Sequence, residues 1–145
     1  MTGVQTCALP IFYLDTSVAL AHLLAEDRRP PDGLWAREIV ASRLLEYEMW
    51  TRIHGLDLGR SHGDAVRRLL THVSRVELIP EVLDRARAPF PIPVRTLDAL
   101  HLATAHWLAE QGHPIQIATY DGRLAGAAEA IGLTLFDLGE GADPD

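Results

Sequence analysis

Four acidic residues stand where a folded chain can bring carboxylates together. Asp15 and Asp121 each follow a short apolar run that predicts a buried strand. Asp98 and Glu48 fall in early turns of two predicted helices. Converging carboxylates repel one another and raise each other's pKa, so a fold keeps them together with a compensating cation. Since hard oxygen atoms select Mg²⁺ or Mn²⁺, the four acids are candidate ligands of a divalent metal.

Three of these acids also have a purely structural explanation. Asp15 stands where it can cap the helix that follows it. Asp98 lies near a helix start, where the helix dipole favours a negative charge. Asp121 precedes Gly122, and this dipeptide is a common turn pair. Taken singly, these three positions leave the structural and the metal-binding explanations open.

Glu48 is harder to explain structurally. It lies on the same helix face as the apolar residues Leu44 and Leu45, where an isolated carboxylate is unexpected. The neighbouring Glu46 points away from that face, and it can form an ion pair with Arg43 one turn earlier. The pattern therefore favours Glu48 over Glu46 as the functional acid.

The elements that must position these acids alternate between short apolar strands and helices. The predicted strands span residues 12–14, 38–41, 76–79, 115–119 and 133–136, and the predicted helices span 18–26, 43–54, 64–73, 81–88, 97–110 and 123–130. This alternation predicts an α/β domain with a mainly parallel sheet. Ligands bind such sheets beyond the carboxyl ends of their strands, which is where Asp15 and Asp121 fall.

Composition narrows the class of protein. The chain has 145 residues, is 48% apolar and carries a formal charge of −7, which fits a single globular domain. No apolar run has the length of about 18–20 residues that a membrane span needs. All 13 basic residues are Arg, and the net acidity excludes a protein that coats DNA nonspecifically. The chain has no Cys pair and no His-Glu-x-x-His motif, so a zinc site is not predicted. His101 either lines the acidic site or packs within its helix.

Four segments carry a family resemblance. FYLDTSVAL, SRLLEYEMW, RTLDALHLATA and ATYDGRLAGAAEAIGL occur in this order and together resemble the PIN-domain ribonucleases, most closely the VapC toxins of bacterial toxin–antitoxin pairs. The resemblance runs from about residue 12 to residue 137. It implies a three-layer α/β/α fold whose mainly parallel central sheet has four to five short strands. It matches Asp15, Glu48, Asp98 and Asp121 to the family's acidic quartet, and Thr16, Ser17 and Thr119 to supporting hydroxyl positions.

The resemblance also implies a function. Such families are Mg²⁺- or Mn²⁺-dependent endoribonucleases that hydrolyse phosphodiester bonds with a metal-activated water, leaving a 5′-phosphate and a 3′-hydroxyl. Weak electrostatic steering by an acidic protein favours a folded target, such as a tRNA loop or an rRNA hairpin, recognised by shape. The candidate phosphate-binding residues are Arg28, Arg29, Arg43, Arg67, Arg68, Arg95 and Arg123. The implied partners are a VapB-type antitoxin and a second copy of the chain, and the expected location is the cytoplasm.

Three other interpretations deserve comparison. A haloacid dehalogenase-type phosphatase needs a second acid two residues after the first, but Ser17 stands there and the chain has no Lys. A P-loop or Rossmann site needs a Gly-rich loop after the first strand, and none follows. A catalytically inactive PIN-like domain that binds RNA or protein is the remaining alternative, and the intact acidic quartet argues against it.

The two ends of the chain are expected to differ from the domain between them. Residues 1–11, MTGVQTCALPI, resemble the translation of a sequencing adapter, so we expect this segment and its Cys7 to be non-native. Residues 12–138 form the predicted PIN domain. Residues 139–145 form an acidic tail with Gly and Pro that we expect to be frayed.

Overall fold

Five parallel strands and six α-helices make up residues 9–139, the part of the chain that the computed structural model describes. The strands are β1 (Ile11–Leu14), β2 (Ile39–Ser42), β3 (Val73–Val76), β4 (Ile115–Ala118) and β5 (Thr134–Leu135). The helices are α1 (Thr16–Leu23), α2 (Leu44–Gly55), α3 (Gly59–Thr71), α4 (Pro80–Ala86), α5 (Thr96–Glu110) and α6 (Gly122–Ala130), with a short 3-10 helix at Asp32–Ala36. Our predictions for residues 1–8 and 140–145 lie outside the described residues.

The sheet has the order β3-β2-β1-β4-β5, with β1 in the centre. After β1 the chain moves outward through β2 and β3, and it then returns to the other side of β1 for β4 and β5. The connections on the two sides of β1 therefore run in opposite directions. Such a switch point opens a crevice at the carboxyl ends of the two strands concerned. In this sheet they are β1 and β4.

Helices cover both faces of the sheet because the strands are apolar on both faces. Phe12 and Leu14 of β1 point to a core shared with α1, α2 and α3. Tyr13 points the opposite way, into a core shared with α5 and α6. Val40 of β2 lies on the same side as Tyr13, in keeping with the period of two along a strand. The predicted three-layer α/β/α fold with a parallel sheet is confirmed.

The helix expected at residues 64–73 begins five residues earlier, as α3 (Gly59–Thr71), and the third strand is misplaced as well. We expected it at residues 76–79, whereas β3 spans Val73–Val76 and pairs in register with β2, Ser42 opposite Val76. Ile79 has left the sheet and is the N-cap residue of α4, whose first residue is Pro80. Apolar character continues past the strand end, so hydrophobicity alone did not show where pairing stops.

Asp15 is the N-cap residue of α1, as its position allowed, and Thr16 is the first helical residue. Arg95 is the N-cap residue of α5. No helix among residues 9–139 combines the length and the apolar character needed to cross a bilayer.

Candidate active site at the carboxyl edge of the sheet

The switch point brings Asp15 and Asp121 to the same edge of the sheet. β1 pairs with β4 so that Leu14 lies opposite Ala118, and the backbone N–H of Asp15 donates to the carbonyl of Ala118 at 3.0 Å. Asp121 follows β4 and is the N-cap residue of α6, where its Oδ1 accepts from the backbone N–H of Arg123 at 2.9 Å. Both residues thus act as caps while standing at the crevice.

Asp15 is held through one of its two carboxylate oxygens. Its Oδ2 accepts from the Ser17 hydroxyl at 2.6 Å, from the Thr119 hydroxyl at 2.8 Å and from the Ser17 backbone N–H at 3.3 Å. No residue within 9–139 donates a hydrogen bond to Oδ1. Only 8% of Asp15 is exposed, so its orientation is fixed by groups inside the protein.

Thr119 links the two aspartates. Its hydroxyl donates to Asp15 and accepts from the backbone N–H of Asp121 at 2.9 Å. The Ser17 hydroxyl forms a similar bridge, because it donates to Asp15 and accepts from the backbone N–H of Tyr120 at 3.0 Å. Two hydroxyls therefore tie the start of α1 to the loop after β4, and both of them orient a carboxylate.

Asp98 reaches this edge from the first turn of α5. Its pKa is raised above the ordinary aspartate value, first by burial and then by the negative charges of Asp121 and Asp15. The positive charges of His101 and Arg95 oppose this effect without cancelling it. Three carboxylates from three elements therefore lie within electrostatic reach of one another.

Glu48 is also held through a single oxygen. Its Oε1 accepts from the Thr16 hydroxyl at 2.9 Å and lies 2.6 Å from Nε2 of His101. No donor among the described residues reaches Oε2. Glu46 points elsewhere, as expected, and its carboxylate pairs with Arg43 at 2.8 Å and with Arg75 at 3.4 Å. Glu48 is thus the one of the two glutamates that faces α1 and α5.

A buried relay stands behind Glu48, and sequence reasoning found only part of it. Nδ1 of His101 lies 2.8 Å from the Tyr13 hydroxyl, which accepts from the backbone N–H of Ser42 at 3.2 Å. His101 is 2% exposed and Tyr13 is fully buried. A carboxylate oxygen can only accept, so Nε2 of His101 carries the hydrogen in its contact with Glu48 whether the ring is neutral or charged.

Burial and charge act on this relay in opposite directions. Burial lowers the pKa of His101, but the hydrogen bond and charge of Glu48, together with the charges of Asp15 and Asp98, outweigh it and leave that pKa raised. Burial raises the pKa of Tyr13, which keeps the phenol protonated. We expected His101 either to line the acidic site or to pack within its helix. It does both, because it is buried in the core and also contacts Glu48.

The donor set fits a hard divalent cation in its chemistry. Carboxylates are its preferred ligands, and the negative charges of Asp121 and Asp15 add to burial in raising the pKa of Asp98. Within residues 9–139, however, no group of three or more His, Cys, Asp or Glu side chains is close enough to hold a metal ion.

Several of the candidate phosphate-binding arginines are engaged elsewhere. Arg43 pairs with Glu77 as well as Glu46, and Arg67 pairs with Asp64 at 2.9 Å. A cleft of about 1040 Å³ beside Asp121 is lined by Arg28, Arg52 and Arg95 together with the acids Glu26 and Asp27. Arg28 donates to the carbonyl of Tyr120 at 3.2 Å. Our prediction did not include Arg52. It lies in the last turn of α2, where nothing in the local sequence distinguishes it from an ordinary surface charge.

The fold and the acidic edge define a nuclease of the PIN class, and a family model described as the PIN domain matches residues 12–130. Ribonuclease VapC46 of Mycobacterium tuberculosis is 38% identical over 131 residues, which cover 86% of this chain and 95% of that protein. Ribonuclease VapC35 of Mycobacterium tuberculosis is 34% identical over 137 residues, covering 90% and 98%. The chain therefore belongs to the VapC family of PIN-domain ribonucleases.

A solved structure supports the fold independently. The structure of VapC20 from Mycobacterium tuberculosis, described as a sarcin-ricin loop cleaving toxin, matches with a TM-score of 0.60. The match covers 80% of this chain and 94% of that one at 23% sequence identity. The predicted membership of the VapC family is confirmed, and with it the class of enzyme, a metal-dependent nuclease.

Proposed function

We propose that this chain is an endoribonuclease that hydrolyses phosphodiester bonds in structured RNA with Mg²⁺ or Mn²⁺. Asp15, Asp98 and Asp121 would hold the cation, and Glu48 would complete a second metal site or position the attacking water. The observation that supports this is the way in which Asp15 and Glu48 are held: on each, the protein's hydrogen bonds fall on one oxygen. The other oxygen of each is left for a ligand from outside the described chain.

Hydroxyl and imidazole groups around the acids orient the carboxylates that would bind the cation. Thr119 and Ser17 fix the plane of the Asp15 carboxylate, while Thr16 and His101 fix that of Glu48. When bound, the cation supplies neutralisation of the phosphate charge and activation of water near neutral pH. Glu48 Oε2 can then accept a hydrogen bond from the attacking water, and the expected products are a 5′-phosphate and a 3′-hydroxyl.

Structured RNA is the substrate class that the charge distribution favours. A net charge of −7 gives little long-range attraction for RNA, so affinity has to come from local contacts such as Arg52 and Arg95 in the cleft beside Asp121. Local contacts select a loop of defined shape, in tRNA or rRNA, over an extended strand. Equal cleavage of a folded RNA and an unfolded RNA with the same sequence would contradict this part of the proposal.

The test of the catalytic assignment is cleavage of total RNA in the presence of Mn²⁺. We expect Asp98→Asn to abolish cleavage, because the substitution removes a carboxylate from the acidic edge. Asp84→Asn is the matched control, since Asp84 is an exposed residue of α4, and this variant should cleave like the wild type. Cleavage by Asp98→Asn at the wild-type rate would overturn the proposed site.

The remaining proposals concern partners and context. The family relationship supports a VapB-type antitoxin that covers the acidic edge, a homodimer, and action in the cytoplasm, where RNA substrates are found. Light scattering of the purified chain, alone and with the product of an adjacent small reading frame, tests both assemblies. A monomer at all concentrations contradicts the dimer, and the absence of a complex contradicts that partner.

We further propose that residues 1–11 are not native, that 12–138 form the PIN domain and that 139–145 are a tail. The similarity of MTGVQTCALPI to an adapter translation supports the first point. Ile11 nevertheless occupies the first position of β1, opposite Ile115. Resequencing of the source locus tests the proposal, and a genomic reading frame that encodes these residues before Phe12 would contradict it.

A further inference from the structure

A second cleft, of about 550 Å³, opens beside the acidic edge along α2 and shares Glu48 with it. Three large apolar side chains line this cleft with much of their surface in solvent: Tyr47 is 62% exposed, Leu97 46% and Leu56 43%. Large apolar side chains concentrated at one exposed place mark a binding site more often than scattered ones do. The cleft is large enough for a small organic group.

The position of the cleft relates its occupant to the proposed reaction. Tyr47 directly precedes Glu48, and Leu97 directly precedes Asp98. The cleft is thus built by the neighbours of two acids that come from two different helices. A group bound between Tyr47 and Leu97 therefore lies next to Glu48, which also lines this cleft.

Arg52 connects this apolar cleft with the polar one. It lines the cleft of Tyr47 and also the cleft of about 1040 Å³ that contains Asp121 and Arg95. An apolar pocket with an exposed aromatic ring and a cation at its boundary matches the two parts of a nucleotide. The base has an apolar face that stacks on aromatic rings, and the phosphate is an anion that guanidinium groups bind.

We propose that the cleft of Tyr47, Leu56 and Leu97 binds one unstacked nucleobase of the RNA, adjacent to the phosphodiester at the acidic edge, with Arg52 on the intervening phosphate. The inference rests on the proposed ribonuclease function and adds a subsite to it. A base in a duplex is stacked and paired, so this subsite selects single-stranded loops or ends. Because every base has a π-face, Tyr47 contributes affinity and little sequence preference.

The test measures RNA binding in an Asp98→Asn background with Mg²⁺ present, so that the probe is not consumed. The probe is a fluorescein-labelled RNA hairpin oligomer with a single-stranded uridine loop, and binding is followed by fluorescence anisotropy. We expect Tyr47→Ala to weaken binding by about 5- to 150-fold, the range for loss of one base–aromatic stack. Tyr47→Phe keeps the ring and should bind within about twofold of its parent, since the stacked face is unchanged.

A matched control and an altered probe make the outcome specific. Leu83→Ala truncates an apolar residue of similar exposure, 42%, that lines a different cleft, and its affinity should equal that of the parent. Oligomers with an abasic ribose at successive positions should show one position where loss of the base weakens binding to the parent but not to Tyr47→Ala. Tyr47 and Leu83 are both exposed, so their substitution should not prevent folding, and thermal melting checks that each variant is folded.

The outcomes separate this inference from the proposed function. Equal affinity of Tyr47→Ala and Leu83→Ala overturns the subsite, as does an oligomer that does not bind at all. The subsite is also overturned if Tyr47 is needed to hold a protein partner but not RNA. If binding depends on Tyr47 while Asp98→Asn still cleaves RNA, the catalytic assignment fails and the nucleobase subsite stands.

Discussion

Removing the Tyr13 hydroxyl should destabilise the protein far more than an ordinary Tyr→Phe change. That hydroxyl accepts from the backbone N–H of Ser42 and lies 2.8 Å from Nδ1 of His101, and Tyr13 has no exposed surface. Tyr13→Phe leaves both partners buried without their hydrogen bonds. Each buried group left unsatisfied costs about 1–3 kcal/mol, so the two together cost about 2–6 kcal/mol.

The expected change is large on the scale of a small domain. Total stabilities are about 5–15 kcal/mol, and in a chain of this size 1 kcal/mol corresponds to about 3–5 °C in Tm. Tyr13→Phe should therefore lower Tm by at least about 6 °C. Thermal unfolding followed by circular dichroism measures this shift, and chemical unfolding at 25 °C gives the free energy directly.

Tyr120 offers a control with the same chemical change. Its hydroxyl is buried and has no hydrogen-bond partner among the described residues. Tyr120→Phe removes a polar atom that is not satisfied, so Tm should stay constant or rise slightly. If both variants lose the same stability, or if Tyr13→Phe loses less than about 1 kcal/mol, the hydrogen-bonded relay behind Glu48 is refuted.

Two further predictions concern stability. Ala25 follows α1 with a φ of 50°, a left-handed conformation that is unfavourable for a residue with a Cβ atom. Ala25→Gly should therefore raise the free energy of unfolding by about 1 kcal/mol. A lower Tm of this variant, measured by calorimetry, would contradict the prediction. In the absence of metal, Asp98→Asn should melt at a higher temperature than the wild type at neutral pH, because burial and the charges of Asp121 and Asp15 make the ionised Asp98 unfavourable. A raised folded-state pKa means that the folded protein holds this proton more tightly, so wild-type stability in EDTA should fall as the pH rises through that pKa, and Asp98→Asn should lack this component of the pH dependence. Equal melting curves of the two proteins across the acidic range would contradict the prediction.

The sequence predicted those features of the fold that depend on one strand or helix and the residues next to it. Asp15 and Asp121 were predicted at the crevice because each closely follows a parallel strand, and ligands bind such sheets beyond the carboxyl ends of the strands. The position of β3 was wrong because pairing with β2, which local hydrophobicity does not encode, decides where that strand ends.

The parts of the site that the sequence did not reveal depend on contacts between distant residues. Tyr13 and His101 are 88 positions apart and meet only because α5 packs on β1. Arg52 looks like an ordinary surface charge until the ends of α1, α2 and α5 surround one cleft. Such contacts follow from tertiary packing, so neither the spacing nor the type of these residues indicates them in advance.

The placement of Tyr13 at the centre of the sheet has a consequence for the motions of the protein. Regions of a fold open independently, and the amides of a central strand commonly exchange with solvent only when the whole domain unfolds. Glu48 is tied through His101 and Tyr13 to the backbone of β2, next to that central strand. Hydrogen exchange at Ser42 should therefore be among the slowest in the chain, and the orientation of Glu48 should persist through the local openings that expose the loops around it.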